Sequence, residues 1–155
     1  MQDASFKTTR WENDIDSMRQ VVNAGFCTCE IGLASGTESS QGQLESGTLG
    51  EVGAFRYTGT GTQRATRAAD HIAADGDDYY VLYLPHAAQF EMHQDGRDMR
   101  IGPGMYAFVS TSRPFDGFEE PLHNRHAFSS THLSIPAARL RERVPFIDDL
   151  CNVAQ

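Results

Sequence analysis

Apolar and polar residues alternate with a period of two through most of this chain. Phe90 and Met92 alternate with Glu91 and His93, and Met99 and Ile101 alternate with Asp98 and Arg100. A period of two puts one row of side chains on the core face of a half-buried strand. Between the two runs stands Asp95-Gly96, a pair that supplies the positive φ angles a two-residue hairpin loop demands. A Pro103-Gly104 turn and a third strand follow. The strongest strand signal is YYVLYL at 79–84, aromatic and β-branched. Residues 51–58 form another strand with Phe55 and Tyr57 on one face; 62–69 and 127–135 add two more. Many short strands at close spacing predict a sandwich or barrel and not a parallel sheet.

Helical periodicity is confined to the two ends. Thr9 and Glu12 have capping-box spacing, and Trp11, Ile15, Met18 and Val22 then recur on one face, which predicts a helix over 11–23. Residues 26–33 read as a strand with mixed faces. The Ser-, Gly- and Gln-rich stretch 34–47 reads as a loop or weak edge strand. Residues 75–78 read as an acidic turn, and 116–124 as a polar connection. At Pro136 the period changes. Leu140, Val144, Ile147 and Cys151 share a helical face that Pro145 interrupts, so a helix over 136–143 and a second from 146 are expected.

The 155 residues fit one domain, with the barrel over 26–135 and terminal helices over 136–153. With 39% apolar and 22% charged residues, such a chain builds its core without disulfide or metal staples. The formal net charge of −8 argues against direct binding of nucleic acid or of an anionic membrane. No apolar leader and no membrane-length run are visible, so the cytoplasm is expected. Cys27 and Cys29 form a CxC pair without a second cluster, which reads as reduced thiols on one face of a strand.

A specific order of features carries a resemblance. Leu49-Gly50, the Arg67 region, YYVLYL, Gln94-Asp95-Gly96-Arg97, Pro103-Gly104, Thr111-Ser112-Arg113-Pro114 and Leu133-Ser134-Ile135-Pro136 follow one another across most of the chain. Together they resemble the N-terminal effector-sensing domain of AraC/XylS-type bacterial transcription regulators. Met105 after Pro-Gly, and Ala87-Ala88 after the YYVLYL strand, depart from that pattern. The resemblance implies a mainly β fold, a cupin-like jelly-roll barrel with an N-terminal helix and short C-terminal helices. It also implies a small-molecule effector, a homodimer, and DNA contact only through a C-terminal helix-turn-helix domain. No such pattern precedes Gln155, so the chain is expected to be the sensing domain alone.

Cupins that hold metal carry His-x-His with a following Glu on one strand, and a further His after the Pro-x-Gly turn. Here the first place reads His86-Ala87-Ala88 through Glu91, with one His, and the second has none. Three converging ligands are needed for a catalytic ion, so neither a metal nor another cofactor is expected. There is no G-x-S-x-G elbow and no phosphate loop, and no catalytic residue is assigned. The candidates are therefore the residues expected to face the barrel interior: Phe55, Tyr57, Tyr80, Leu82, Phe90, Met92, Phe108 and Thr131, with Arg67 as a cation able to meet a carboxylate. As a set they suit a flat or aromatic effector. A slip of one residue in any strand would exchange its faces. A small metal-dependent cupin enzyme and a ligand-free dimerisation module are the alternatives.

Overall fold

The computed structural model describes residues 6–25, 27–34 and 36–155. Two antiparallel sheets face each other. The elements in chain order are β1 (Lys7–Glu12), α1 (Ile15–Gly25), β2 (Glu30–Leu33), β3 (Gln41–Leu49), β4 (Val52–Thr60), β5 (Gln63–Arg67), α2 (Ala69–Asp75), β6 (Tyr79–Pro85), β7 (Ala88–Gln94), β8 (Arg97–Ile101), β9 (Ala107–Ser110), β10 (Phe115–Pro121), β11 (Ala127–Pro136), α3 (Ala137–Arg143) and α4 (Ile147–Leu150). One sheet runs β1-β3-β4-β11-β6-β9, the other β2-β5-β10-β7-β8. This is the cupin-like jelly-roll arrangement, in which strands near in sequence alternate between sheets.

The hairpin forms as its sequence dictates. Asp95 and Gly96 both take positive φ, 54° and 71°, and the register pairs Gln94 with Arg97 and Phe90 with Ile101. Phe90, Met92, Met99 and Ile101 are all buried. After Pro103-Gly104 the chain changes sheets, because β9 pairs with β6 and not with β8.

The edges of the two sheets are bridged on opposite sides. The helix α1 packs on β1 and β3 of one sheet and on β2 of the other, burying Met18 and Val22. At the far side, residues 147–155 tie β9 to the β7/β8 hairpin. Asn152 N donates to Phe108 O at 2.7 Å and its amide donates to the carbonyls of Met92 and Arg97, while Arg97 Nη1 donates to Cys151 O at 3.0 Å. The helices α3 and α4 cover the outer face of β6, where Tyr80, Ala137, Ile147 and Cys151 form a separate buried cluster with Leu140 and Val144 beside it.

Five expectations are corrected. The stretch Thr9–Glu12 is the end of β1 and not a capping box. Trp11 stacks on Tyr57 across the sheet, ring centroids 5.4 Å apart, and burial of that indole outweighs local helix signals. The helix instead starts at Asp14, whose carboxylate accepts from the backbone of Asp16 (3.0 Å) and the hydroxyl of Ser17 (2.7 Å). The polar stretch after residue 40 is a nine-residue strand, β3, paired on both sides. Its Gly42 is required: a Cβ there would stand 2.5 Å from the Trp11 ring and 2.3 Å from Thr58 O. Residues 69–75 form α2, closed by Gly76 at φ 63°, ahead of the acidic turn. Of the expected strand over 26–33, Phe26 lies outside the described residues, Cys27–Cys29 is irregular and only β2 is extended. The expected polar connection over 116–124 is largely β10, an interior strand between β5 and β7.

Candidate functional site

Between the sheets lies a cavity of about 70 Å³. Its wall is mostly hydrocarbon and aromatic. From β6 come Val81 and Tyr83, from β7 Phe90 and Met92, from β9 Val109, and from α1 Val22. Tyr83 stacks on Phe90 at 4.2 Å between centroids and meets the ring of His132 at 4.4 Å. Cys27 and Cys29 reach the same cavity from the segment before β2, both as buried free thiols. Each thiol acts on the other, so their acidities are set apart: Cys27 is pulled below the ordinary thiol value, and Cys29, whose Sγ donates to Asn23 Oδ1 at 3.5 Å, is pushed far above it, with burial adding to the rise.

The polar groups fall into two sets. In the first, Trp11 Nε1 donates to Ser40 Oγ (3.2 Å), Gln63 Nε2 donates to the same hydroxyl (2.9 Å), and the Tyr57 hydroxyl donates to Gln63 Oε1. All four residues are buried, and the chain of bonds satisfies them internally. In the second set stands Glu119, from β10. It is 7% exposed, and its Oε1 has no hydrogen-bond partner among the described residues. The nearest cationic candidate, His132 Nε2, is 3.9 Å from that oxygen and is engaged with Ser130 Oγ at 2.9 Å. Burial, and then the negative charge of Glu119, hold the Tyr57 phenol well above its ordinary pKa. Tyr83 is raised by burial, then by Cys27 and Glu119. Both phenols therefore stay protonated at neutral pH. Among the described residues no group of three or more His, Cys, Asp or Glu is placed to share a metal ion.

The sequence signature of the AraC-binding-like domain matches residues 18–154. The chain belongs to the AraC-binding-like domain family. Its fold is similar to that of the AraC-like transcriptional activator CuxR, with a TM-score of 0.82 and 18% identity over 97% of this chain and 54% of that one. The EutQ protein of Clostridium difficile is a more distant likeness, with a TM-score of 0.45 and 14% identity over 88% of this chain and 98% of that one. An uncharacterized protein in the nit 5' region of Bacillus sp. (strain OxB-1) is 26% identical over 107 residues, 68% of this chain and 41% of that protein. The chain thus spans about half the length of CuxR and less of the Bacillus protein.

Within this AraC-binding-like domain, three of the nine candidates line the cavity: Tyr57, Phe90 and Met92. Phe55 shares the inward face of β4 and is buried in the cluster around Trp11, with its ring against Gly53, away from the cavity wall. Tyr80, Leu82, Phe108 and Thr131 stand on the opposite face of their strands. Tyr80 and Phe108 are covered by the C-terminal helices, Leu82 sits opposite Leu133, and Thr131 Oγ1 bonds His86 Nε2 at 2.7 Å. The alternation is intact in each strand, but its parity is reversed: Val81, Tyr83, Val109 and His132 point inward. Arg67 is fully buried and does meet a carboxylate, that of Asp75 in this same chain. The two bonds are 2.7 Å each, with a further 2.7 Å bond from Nε to Thr111 O. This guanidinium closes the loop before β2, the end of α2 and the β9–β10 connection onto one another, and Thr111 in turn accepts from the Tyr79 backbone at the start of β6; it does not face the cavity.

Glu119 was missing from the expected set because FDGFEEP reads as turn-rich. Asp116-Gly117 looks like a loop pair, yet Phe115, Gly117 and Glu119 alternate inward at buried positions. The signal was present as alternation, with glycine where a hydrophobic residue would have announced the face.

Proposed function

We propose that this chain is the effector-sensing domain of an AraC/XylS-type transcription regulator, binding a small molecule between its two sheets. The observation that carries the reading is the interior cavity, walled by aromatic and aliphatic side chains and furnished with one buried acceptor, Glu119 Oε1, that accepts no hydrogen bond among the described residues and has His132 Nε2 3.9 Å away. Ligand sites are mostly apolar with a few aimed polar groups, and this composition matches. Family membership supports a regulatory role, and the likeness to CuxR supports a barrel of the kind used in such regulators.

In this reading the whole of 1–155 is one sensing and dimerisation domain, working in the cytoplasm as a homodimer. DNA is contacted through a separate C-terminal helix-turn-helix domain of the full-length regulator. No catalytic step is assigned. The ligand acts by binding one conformation better than another, since equal affinity shifts nothing. At about 70 Å³ the cavity is roughly half the size of the ~150 Å³ apolar cavity that holds benzene, so the guest is small, and an aromatic one requires the sheets to part.

A thermal-shift screen with small amines, alcohols, acids and sugars tests the reading. A ligand at a hundredfold excess over its Kd stabilises the native state by about 2.7 kcal/mol. The expected result is a saturable rise in Tm with one chemical class. No saturable shift with any class rejects it. Sedimentation velocity tests the homodimer: a concentration-independent monomer at micromolar protein contradicts it.

A further inference from the structure

The polar inventory of the cavity is lopsided. Acceptors and donors from Tyr57, Gln63 and Ser40 satisfy one another. Arg64, a cation at the cavity's rim, is committed elsewhere: its fork grips Asp116 with two 2.8 Å bonds, and it lies over the Phe118 ring on the exposed side. Glu119 remains, nine-tenths buried: its Oε1 accepts no hydrogen bond among the described residues, and the imidazole of His132, 3.9 Å away, is held by Ser130 Oγ. A buried charge without a hydrogen-bonding partner is costly, and a protein that keeps one has a use for it. An ionised carboxylate can only accept. The missing group must therefore donate, and positive charge on the donor offsets the burial of the carboxylate.

Given that the cavity is the effector site, we propose that its guest is a small organic cation: an alkylammonium whose nitrogen donates to Glu119 while its hydrocarbon rests on Tyr83, Phe90 and Met92. The volume holds about three non-hydrogen atoms with the sheets as they stand, so a four-carbon guest enters with a small parting of the sheets. An anionic isostere meets Glu119 with like charge and is rejected. A neutral alcohol of the same length fills the same space but makes a weaker bond to the carboxylate.

Xenon and a matched four-carbon series separate this proposal from the reading it rests on. Xenon, followed by NMR, reports whether an apolar interior space admits a guest at all. Then n-butylammonium, 1-butanol and butyrate are titrated by calorimetry at neutral pH into the wild-type chain and into Glu119→Gln. The expected result is entry of xenon into both proteins. In the wild type n-butylammonium should bind about tenfold tighter than 1-butanol, with butyrate weakest. In Glu119→Gln that advantage should vanish while 1-butanol and xenon still bind, which also shows that the variant is folded. If xenon enters but n-butylammonium has no advantage over the alcohol or the acid, the cation proposal fails and the effector site stands. The cation proposal also fails if Glu119→Gln keeps the preference, because recognition then lies elsewhere. If neither xenon nor any four-carbon probe binds, the cavity reading falls and takes the proposal with it.

Discussion

Two buried charged sites in this molecule are built on opposite plans. Around Arg67 the guanidinium is fully inaccessible, and its fork is filled by Asp75 and by the carbonyls of Thr28 and Thr111. Asp75 accepts in addition from the backbone of Thr28 and Asp77, each at 2.9 Å. Around Glu119, a carboxylate on an interior strand faces a hydrocarbon-lined space; its Oε1 accepts no hydrogen bond among the described residues and has only the His132 imidazole nearby, at 3.9 Å. The first site converts buried charge into architecture, joining the segment before β2, α2 and the β9–β10 connection. In the proposed function, the second keeps a buried carboxylate available. The comparison teaches how to read a buried ion: the number of filled hydrogen-bonding positions, and not burial alone, separates a brace from a group proposed to receive a ligand.

The largest effect expected from breaking this contrast is at the brace. Arg67→Ala strands Asp75 and leaves the carbonyls of Thr28 and Thr111 without their donor; removing one partner of a buried pair costs about 3–5 kcal/mol. Urea unfolding should show that loss, and a loss below 1 kcal/mol would mean that the brace contributes little. The acid limb sharpens the same point. The Arg67 guanidinium holds the Asp75 carboxyl far below the usual range, against the opposing effect of burial. A depressed folded pKa gives stability that is complete above the ordinary carboxylate value of about 3.9 and is lost as pH falls below it. Wild-type stability should therefore drop below about pH 4 and converge on that of Asp75→Asn, whose curve is flatter there.

At the proposed receptor group the sign should reverse. Glu119→Leu removes a buried carboxylate whose Oε1 accepts no hydrogen bond among the described residues, and it fills part of the cavity, so stability should rise by about 1–3 kcal/mol while ligand response is lost. A destabilised Glu119→Leu would place Glu119 among the structural groups.

The smallest effect is at Tyr80, on the outer face. Burial, then its 2.6 Å bond to Asp148, push its phenol up to about 12. A raised folded pKa in an acid gives stability that is full below about 10 and is lost as pH rises toward 12. The gap between wild type and Tyr80→Phe should shrink over that alkaline window, without any change in ligand response. A ligand effect in Tyr80→Phe would link the helix-covered face to the cavity.

The barrel was legible from the sequence where one face is wet. Phe90/Met92 and Met99/Ile101 alternate with charges, so the period and its parity are both readable, and both hold in the structure. In YYVLYL the period is visible and the parity is not. The outer face of β6 is covered by α3 and α4, so apolar residues occupy both faces and no polar row marks the outside. That one ambiguity misplaced Tyr80 and Leu82, and the same parity error at β9 and β11 misplaced Phe108 and Thr131. Trp11 misled differently, because a tertiary stack on Tyr57 overrode a local cap signal. Arg67 was recognised as a carboxylate partner, but the carboxylate lies eight residues away in the same chain, a pairing that only the fold creates.

The position of a bound guest tests the central claim most directly. A crystal structure of the wild-type chain grown with n-butylammonium should show the hydrocarbon between the sheets and the nitrogen about 2.7–2.9 Å from a Glu119 carboxylate oxygen. Density for the cation only on the outer surface, with the space beside Glu119 closed by repacked Tyr83 and Phe90, would contradict it.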